Sequence, residues 1–107
     1  MAGVLEPPRI ESIFTDIRLR DGRLDGVIQI HTSDDFGVMD IFVTLRDDQG
    51  NHLESDYAMQ NPYYEDHWGY IPSASLPSGT TVIVQAMAMD SLGGVGIQTE
   101  HADSTVR

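Results

Sequence analysis

The stretch Thr81–Thr99 constrains the fold more than any other part of the sequence. In its first half, apolar side chains occupy both alternating sets of positions, which is typical of a strand in the middle of a sheet. The turn residues Asp90–Gly94 predict an antiparallel hairpin that closes onto Val95 and Ile97. The predicted core-facing set is Val82, Val84, Ala86 and Ala88, and the opposite set is Ile83, Gln85, Met87 and Met89.

Residues 10–32 predict a second hairpin with a two-residue turn at Asp21-Gly22. This turn places the apolar positions of both strands on one face and sets Arg18 opposite Asp25, a favourable pair. A rival turn at Asp25-Gly26 would give shorter strands with mixed faces. The preferred register pairs Leu19 with Leu24, Ile17 with Gly26, Thr15 with Ile28, and Ile13 with Ile30.

A third hairpin follows, because Val38–Arg46 alternates with period two. The Asp48-Gln49-Gly50 sequence suits a three-residue loop in which Gly50 adopts a positive φ. That loop predicts Leu45 opposite Leu53, and a short strand near a sheet edge over His52–Ala58. The predicted core face of the first strand is Met39, Ile41, Val43 and Leu45.

The remaining chain predicts a further strand from about Glu65, within Tyr63–Ile71, and a loop over Pro72–Gly79. No segment has the period of a helix over a useful length. Seven or eight antiparallel strands with turn signals between them predict an all-β sandwich in two sheets, with a small barrel as the alternative. We expect an extended N-terminal linker over residues 1–8, one domain over 9–101, and a polar tail over 102–107.

Composition limits the partners of this chain of 107 residues. A formal net charge of −11 and a pI near 4.3 disfavour nucleic acid and anionic membranes, since both would repel the chain. The absence of cysteine excludes disulfides and thiolate chemistry. No apolar run reaches the ~20 residues of a membrane helix, and the N-terminus lacks the features of a signal peptide.

Six segments carry a family resemblance that covers about Pro7 to Thr99. They are Pro7–Ile10, Asp34–Val38, Asp48–Asn51, Trp68, Leu76–Gly79 and Ala86–Gly94. Together they resemble the bacterial immunoglobulin-like domains, which are similar to fibronectin type III and cadherin-like sandwiches. The resemblance implies an immunoglobulin-like β-sandwich without enzymatic activity, which serves adhesion, spacing or accessory work for carbohydrate enzymes, usually outside the cytoplasm or at the cell surface.

Acidic residues at strand ends suggest a calcium site. Asp34, Asp35 and Asp90 could meet at one end of a sandwich, where carboxylates and loop carbonyls supply the hard oxygens that calcium prefers. No D-x-D-x-D-G loop is present, however. The alternative is that these aspartates accept backbone hydrogen bonds in turns. The main expectation is therefore no cofactor, with calcium as the alternative and a calcium-dependent adhesion domain as the function that calcium would imply.

The aromatic segment suggests a ligand surface. Tyr63 and Tyr64 lie in a predicted loop, where exposed rings would suit a sugar or a peptide. We expect Trp68 to be buried, because a single tryptophan supplies a large share of a small core. A carbohydrate-binding module is thus an alternative function.

The reverse side of the central strand suggests an interface. If the third, sixth and seventh predicted strands pair, Phe42, Ile83, Met87 and Met89 share an outer face that an isolated domain should keep polar. A protein partner, a neighbouring domain or a second copy in a homo-oligomer could cover it. The alternative is a local cover by the N-terminal segment or by the Pro72–Gly79 loop.

Catalysis is not expected. The four histidines are far apart in sequence and lack a metal-binding spacing, so structural or exposed roles are the default for them. No serine stands in a G-x-S-x-G elbow. The sequence therefore predicts a non-enzymatic structural or protein-interaction module.

Overall fold

A computed structural model describes residues 8–33, 37–77 and 79–103, and it contains two four-stranded antiparallel sheets. One sheet has the order β1-β2-β6-β5 and the other has the order β4-β3-β7-β8. The all-β sandwich is confirmed. Over the described residues, no helix is long and apolar enough to cross a membrane. The strands are β1 (Ile10–Arg20), β2 (Arg23–Thr32), β3 (Val38–Asp47), β4 (His52–Tyr57), β5 (Met59–Gln60), β6 (His67–Tyr70), β7 (Thr81–Asp90) and β8 (Val95–Asp103).

The β1–β2 hairpin has the predicted register, including all four apolar-face pairs. Asp21 and Gly22 both have positive φ, as a type I′ turn requires. The rival turn at Asp25-Gly26 is wrong, because Gly26 lies inside β2. Its backbone passes so close to the carbonyl of Asp16 that a Cβ would collide with it.

Strand β7 lies in the middle of its sheet, as predicted, because it pairs with β3 on one side and with β8 on the other. Strand β8 is at the edge of that sheet. The core-facing set of β7 is fully buried. It packs with the buried side of β3 and with Ile28 and Ile30 from the opposite sheet. The hydrophobic core therefore lies between the two sheets.

Met39 is not in the core, contrary to the period-two prediction. The β3–β7 ladder shifts between Val38 and Asp40. Val38 therefore packs partly buried against the core, and Met39 is 59% exposed. An extra residue in one strand of a ladder inverts the alternation beyond it, so a pattern that fits Ile41 onward fails at the start of the strand.

The β3–β4 hairpin has the predicted three-residue loop, with Gly50 at φ 86°. The Asp47 carboxylate stabilises this loop by accepting hydrogen bonds from the backbone N–H groups of Gln49 and Asn51. The predicted pairing of Leu45 with Leu53 is wrong. An irregularity in the ladder sets Leu45 opposite Glu54, while Leu53 packs partly buried against the core.

The ends of several elements differ from the prediction. β6 begins at His67 rather than near Glu65, because the backbone turns there, with the N–H of His67 donating to the carbonyl of Tyr64. Trp68 is buried, as expected. β8 extends to Asp103, two residues into the predicted tail, and Pro8 of the predicted linker is buried.

Candidate functional sites

The outer face of the β4-β3-β7-β8 sheet carries a continuous apolar row. Tyr57 pairs with Phe42, Phe42 with Met87, and Met87 with Ile97, so one apolar side chain from each strand contributes. The Phe42 and Tyr57 rings meet edge to face with centroids 5.1 Å apart. The first and the last of four adjacent strands lie about 14 Å apart. We call these four residues the apolar row.

An apolar pair lies next to this row on the same face. Met89, two positions after Met87, pairs with Val95 on one side and with Asp40 on the other. The predicted face residues Phe42, Met87 and Met89 are thus contiguous.

Ile83 lies apart from the other predicted interface residues. It pairs with Arg46 and His101, and the polar row of Thr44, Gln85 and Thr99 separates it from the apolar row. Arg46 donates to Gln85 at 3.5 Å within that polar region. The face is therefore divided into an apolar half and a polar half.

The Pro72–Gly79 loop does not lie over this face in its described part. The N–H of Leu24 donates to the carbonyl of Ala74, and the N–H of Leu76 donates to the carbonyl of Gly22. Both bonds hold the loop against the β1–β2 hairpin of the opposite sheet. Of the predicted N-terminal cover, residues 1–7 lie outside the described residues.

A polar cluster occupies the outer face of the opposite sheet. His31 of β2 lies directly opposite His67 of β6, and their rings stack with centroids 4.6 Å apart. Asp66 immediately precedes His67, and its carboxylate reaches both imidazoles. Oδ2 lies 3.0 Å from Nε2 of His31, and Oδ1 lies 3.0 Å from Nδ1 of His67. We call these three residues the His–Asp–His cluster.

Hydrogen bonding holds the Asp66 side chain in its ionised form. The bond from His31 is the largest cause that lowers the pKa of Asp66, and His67 lowers it further, while partial desolvation opposes both. An ionised carboxylate is only an acceptor, so both imidazole nitrogens that face it carry a proton. A metal ion could take the place of the proton on each of these two imidazole nitrogens.

This cluster was missed at the level of sequence. His31 and His67 are 36 positions apart and show no metal-binding spacing. The signal that could have found them is the pairing of β2 with β6, since Ile30 faces Trp68 in the register that also sets His31 opposite His67. Cross-strand partners are close in space whatever their separation in sequence.

The predicted calcium residues are only partly described. Asp34 and Asp35 lie outside the described residues. The Asp90 carboxylate oxygen Oδ1 accepts hydrogen bonds from the N–H groups of Leu92 and Gly94, at 2.9 and 2.7 Å. Asp90 thus closes the β7–β8 turn, which is the alternative role given for it. Calcium binding at these residues stays a prediction.

Tyr63 and Tyr64 are both exposed, at 86% and 63%. The Asn61 side-chain oxygen accepts hydrogen bonds from the backbone N–H groups of both tyrosines, which fixes the loop that carries them. The Tyr64 ring meets the edge of His67 with centroids 5.6 Å apart. A carbohydrate-binding role for the two tyrosines stays a prediction.

Comparison with known proteins adds a likeness of fold. No protein-family model matches this chain, and no curated protein matches it. A solved structure, CopC from Methylosinus trichosporium OB3b, superposes with a TM-score of 0.67 over 94% of this chain and 95% of that chain, at 10% sequence identity. At this identity the likeness concerns the fold alone.

Proposed function

We propose that the chain is a non-enzymatic, immunoglobulin-like interaction module. Its apolar row would dock against a protein surface that is apolar and carries lysine or arginine at its rim. The observation that carries the proposal is the continuity of Tyr57, Phe42, Met87 and Ile97 across all four strands. Contiguous apolar patches mark interaction sites more often than scattered exposed residues do.

The strand order supports the immunoglobulin-like part of the proposal. In such sandwiches, one sheet has the order A-B-E-D, and the other has C and sometimes C′ beside F and G. Here β1-β2-β6-β5 and β4-β3-β7-β8 correspond to A-B-E-D and C′-C-F-G. The resemblance also implies a location outside the cytoplasm or at the cell surface, which we propose on that ground only.

Charge argues for a basic partner rather than a second copy of the chain. The four strands that carry the apolar row contain one arginine, Arg46, which stands in the polar half of the face. Two chains of net charge −11 repel each other at physiological salt, whereas a basic rim on a partner would be attracted and steered. Asp40 is the acidic residue that the register sets beside Met89 on this face. Asp47, Glu54, Asp56, Asp90 and Glu100 pair opposite core-facing residues and add to the overall negative charge.

The chemistry of this partner can be imitated by a probe. A fluorescently labelled amphipathic helix of leucine and lysine serves as the positive probe, and the same helix with glutamate in place of lysine serves as the negative one. Binding is measured by anisotropy at physiological salt. We expect the chain to bind the lysine helix and not the glutamate helix.

Two variants separate docking on the apolar row from attraction by charge alone. Met87→Glu and Gln85→Glu each add one negative charge to the same face of β7. If charge alone caused binding, both variants would bind the lysine helix more tightly. If the helix docks on the row, Met87→Glu should bind it at least about tenfold more weakly than wild type, as expected for loss of a central contact residue. Gln85→Glu should bind it as tightly as wild type or more tightly.

Tight binding of the lysine helix by Met87→Glu would contradict the proposal. Sedimentation of the chain without peptide measures whether a second copy of the chain covers this face. We expect a monomer, and a dimer abolished by Met87→Glu would show that a second copy, not a basic partner, occupies the face.

A further inference from the structure

We propose that the His–Asp–His cluster is a binding site for a divalent transition-metal ion, with Cu²⁺ bound most tightly. The site lies on the opposite sheet from the apolar row and is independent of the docking proposed above. Its ligand atoms are imidazole nitrogens of His31 and His67 and a carboxylate oxygen of Asp66, which all lie within 4.8 Å of one another.

The distances suit metal coordination. Bonds of about 2.0–2.1 Å from a metal to nitrogen and oxygen place neighbouring ligands in a square-planar site about 2.9 Å apart, and opposite ligands about 4.1 Å apart. The two observed nitrogen–oxygen distances are both 3.0 Å, each to a different oxygen of the Asp66 carboxylate. Loading the site would bring both nitrogens and a carboxylate oxygen onto a single ion, with the metal replacing the two imidazole protons.

The backbone around the cluster is held in place. The N–H of Thr32 donates to the carbonyl of Asp66 at 2.9 Å, which ties the end of β2 to the residue before β6. The carbonyl of His67 accepts from the N–H of Asn61, also in a backbone bond. Ligands on two paired strands with these anchors are largely preorganised, which reduces the cost of ordering them on binding.

The site is open to solvent on one side. The side chains of His31, Asp66 and His67 are 39%, 28% and 51% exposed. Three protein ligands with solvent access leave a coordination position for water or another ligand, as in open metal sites. A depression of about 350 Å³ lined in part by Gln29, Asn61 and His67 adjoins it.

The donor set selects the class of metal. Imidazole nitrogen suits copper, nickel and zinc, whereas calcium prefers six to eight oxygens. Among these metals, affinity for a given nitrogen and oxygen site generally peaks at Cu²⁺. The net charge of −11 raises the local concentration of any cation.

The chain offers a matched control, because it contains four histidines. The test variant is His31→Gln/His67→Gln, and the control is His52→Gln/His101→Gln, which removes the two exposed histidines of the other sheet. Tag-free, chelator-treated protein is titrated with CuCl₂, ZnCl₂ and CaCl₂ by calorimetry. Circular dichroism establishes that each variant is folded.

We expect one Cu²⁺ or Zn²⁺ per chain at this cluster for wild type and the control, with Cu²⁺ the tighter, and we expect the response to CaCl₂ to be the same in the test variant as in wild type. The test variant should bind both metals at least ~10-fold more weakly than wild type. Loss of a residue that only hydrogen-bonds to a metal ligand already weakens metal binding by about 10–100-fold. The electron paramagnetic resonance spectrum of the Cu²⁺ form should show coupling to two imidazole nitrogens.

Wild-type protein alone keeps the proposal testable if the double variant fails to fold. Zinc titration should then shift the imidazole proton signals of His31 and His67 in the NMR spectrum and leave those of His52 and His101 unchanged. Absence of Cu²⁺ and Zn²⁺ binding, or equal loss in test and control variants, would overturn the proposal and leave a purely hydrogen-bonded cluster.

Discussion

Glu54 joins the two sheets at one side of the sandwich, and its removal should destabilise the fold strongly. Its carboxylate accepts the hydroxyl of Tyr70 at 2.5 Å and the backbone N–H groups of Ser73 and Ala74 at 2.8 and 2.6 Å. Glu54 belongs to β4, whereas Tyr70 ends β6 of the opposite sheet. Burial, and then the hydrogen bond to Glu54, raise the pKa of Tyr70, so its hydroxyl remains a donor.

The size of the effect follows from these three bonds. Hydrogen bonds to charged groups contribute about 1.5–3 kcal/mol each, and a buried donor left without a partner has a similar cost. The N–H of Ser73 is exposed and can bond to water instead, so the bonds to Tyr70 and Ala74 dominate. Glu54→Ala should therefore lower the free energy of unfolding by about 3 kcal/mol. That corresponds to a decrease in Tm of roughly 12–24 °C for a domain of this size.

Urea denaturation followed by circular dichroism measures this change. Asp56→Ala is the matched control in the same strand, because the Asp56 side chain accepts a bond only from the neighbouring N–H of Tyr57 among the described contacts. We expect the control to remain within ~0.5 kcal/mol of wild type. Tyr70→Phe should give an intermediate loss of about 1–1.5 kcal/mol. A Glu54→Ala chain as stable as the control would refute this account of the sheet contact.

Two further predictions concern the backbone and acid stability. Gly96→Ala should destabilise the fold by more than ~2 kcal/mol, because a Cβ there would collide with the backbone carbonyl of Pro8. The control is Gly37→Ala, which has open space around it and should change stability by less than ~0.5 kcal/mol. The urea midpoints of the two variants measure both changes, and equal midpoints would contradict the prediction. Hydrogen bonds from Asn51 hold the pKa of Asp47 below its ordinary 3.8 in the folded chain. The ionised Asp47 side chain therefore stabilises the fold fully above pH 3.8, and this stabilisation is lost as the pH falls through the lowered pKa. Asp47→Asn should therefore reduce the acid dependence of Tm below pH 3.8, and an unchanged acid limb would contradict this role.

The hairpins could be predicted because their determinants are local. The Asp21-Gly22 turn and the alternation of β1 and β2 fix the register without help from the rest of the chain. The same local reasoning failed at Met39 and Leu53, where ladder irregularities displace one residue and invert or shift the pattern. Such irregularities leave no signal in hydrophobic periodicity.

The two candidate sites differ in how far the sequence could reveal them. The outer-face position of Phe42 and Met87 followed from the alternation of single strands, whereas the contribution of Tyr57 depended on the register of the β3–β4 ladder. The pairing of His31 with His67 depends on strands β2 and β6, which are joined by a long path through the other sheet. Contacts between strands distant in sequence need the topology first.

The central claim, docking on the apolar row, is tested most directly by NMR mapping. The ¹⁵N-labelled chain is titrated with the leucine–lysine helix, and the amide signals that shift are assigned. We predict that the largest shifts occur at Phe42, Tyr57, Met87 and Ile97, with small changes at Gln29 and Gly69 on the opposite sheet. Largest shifts on the opposite sheet, or uniform shifts over all acidic surfaces, would contradict the account.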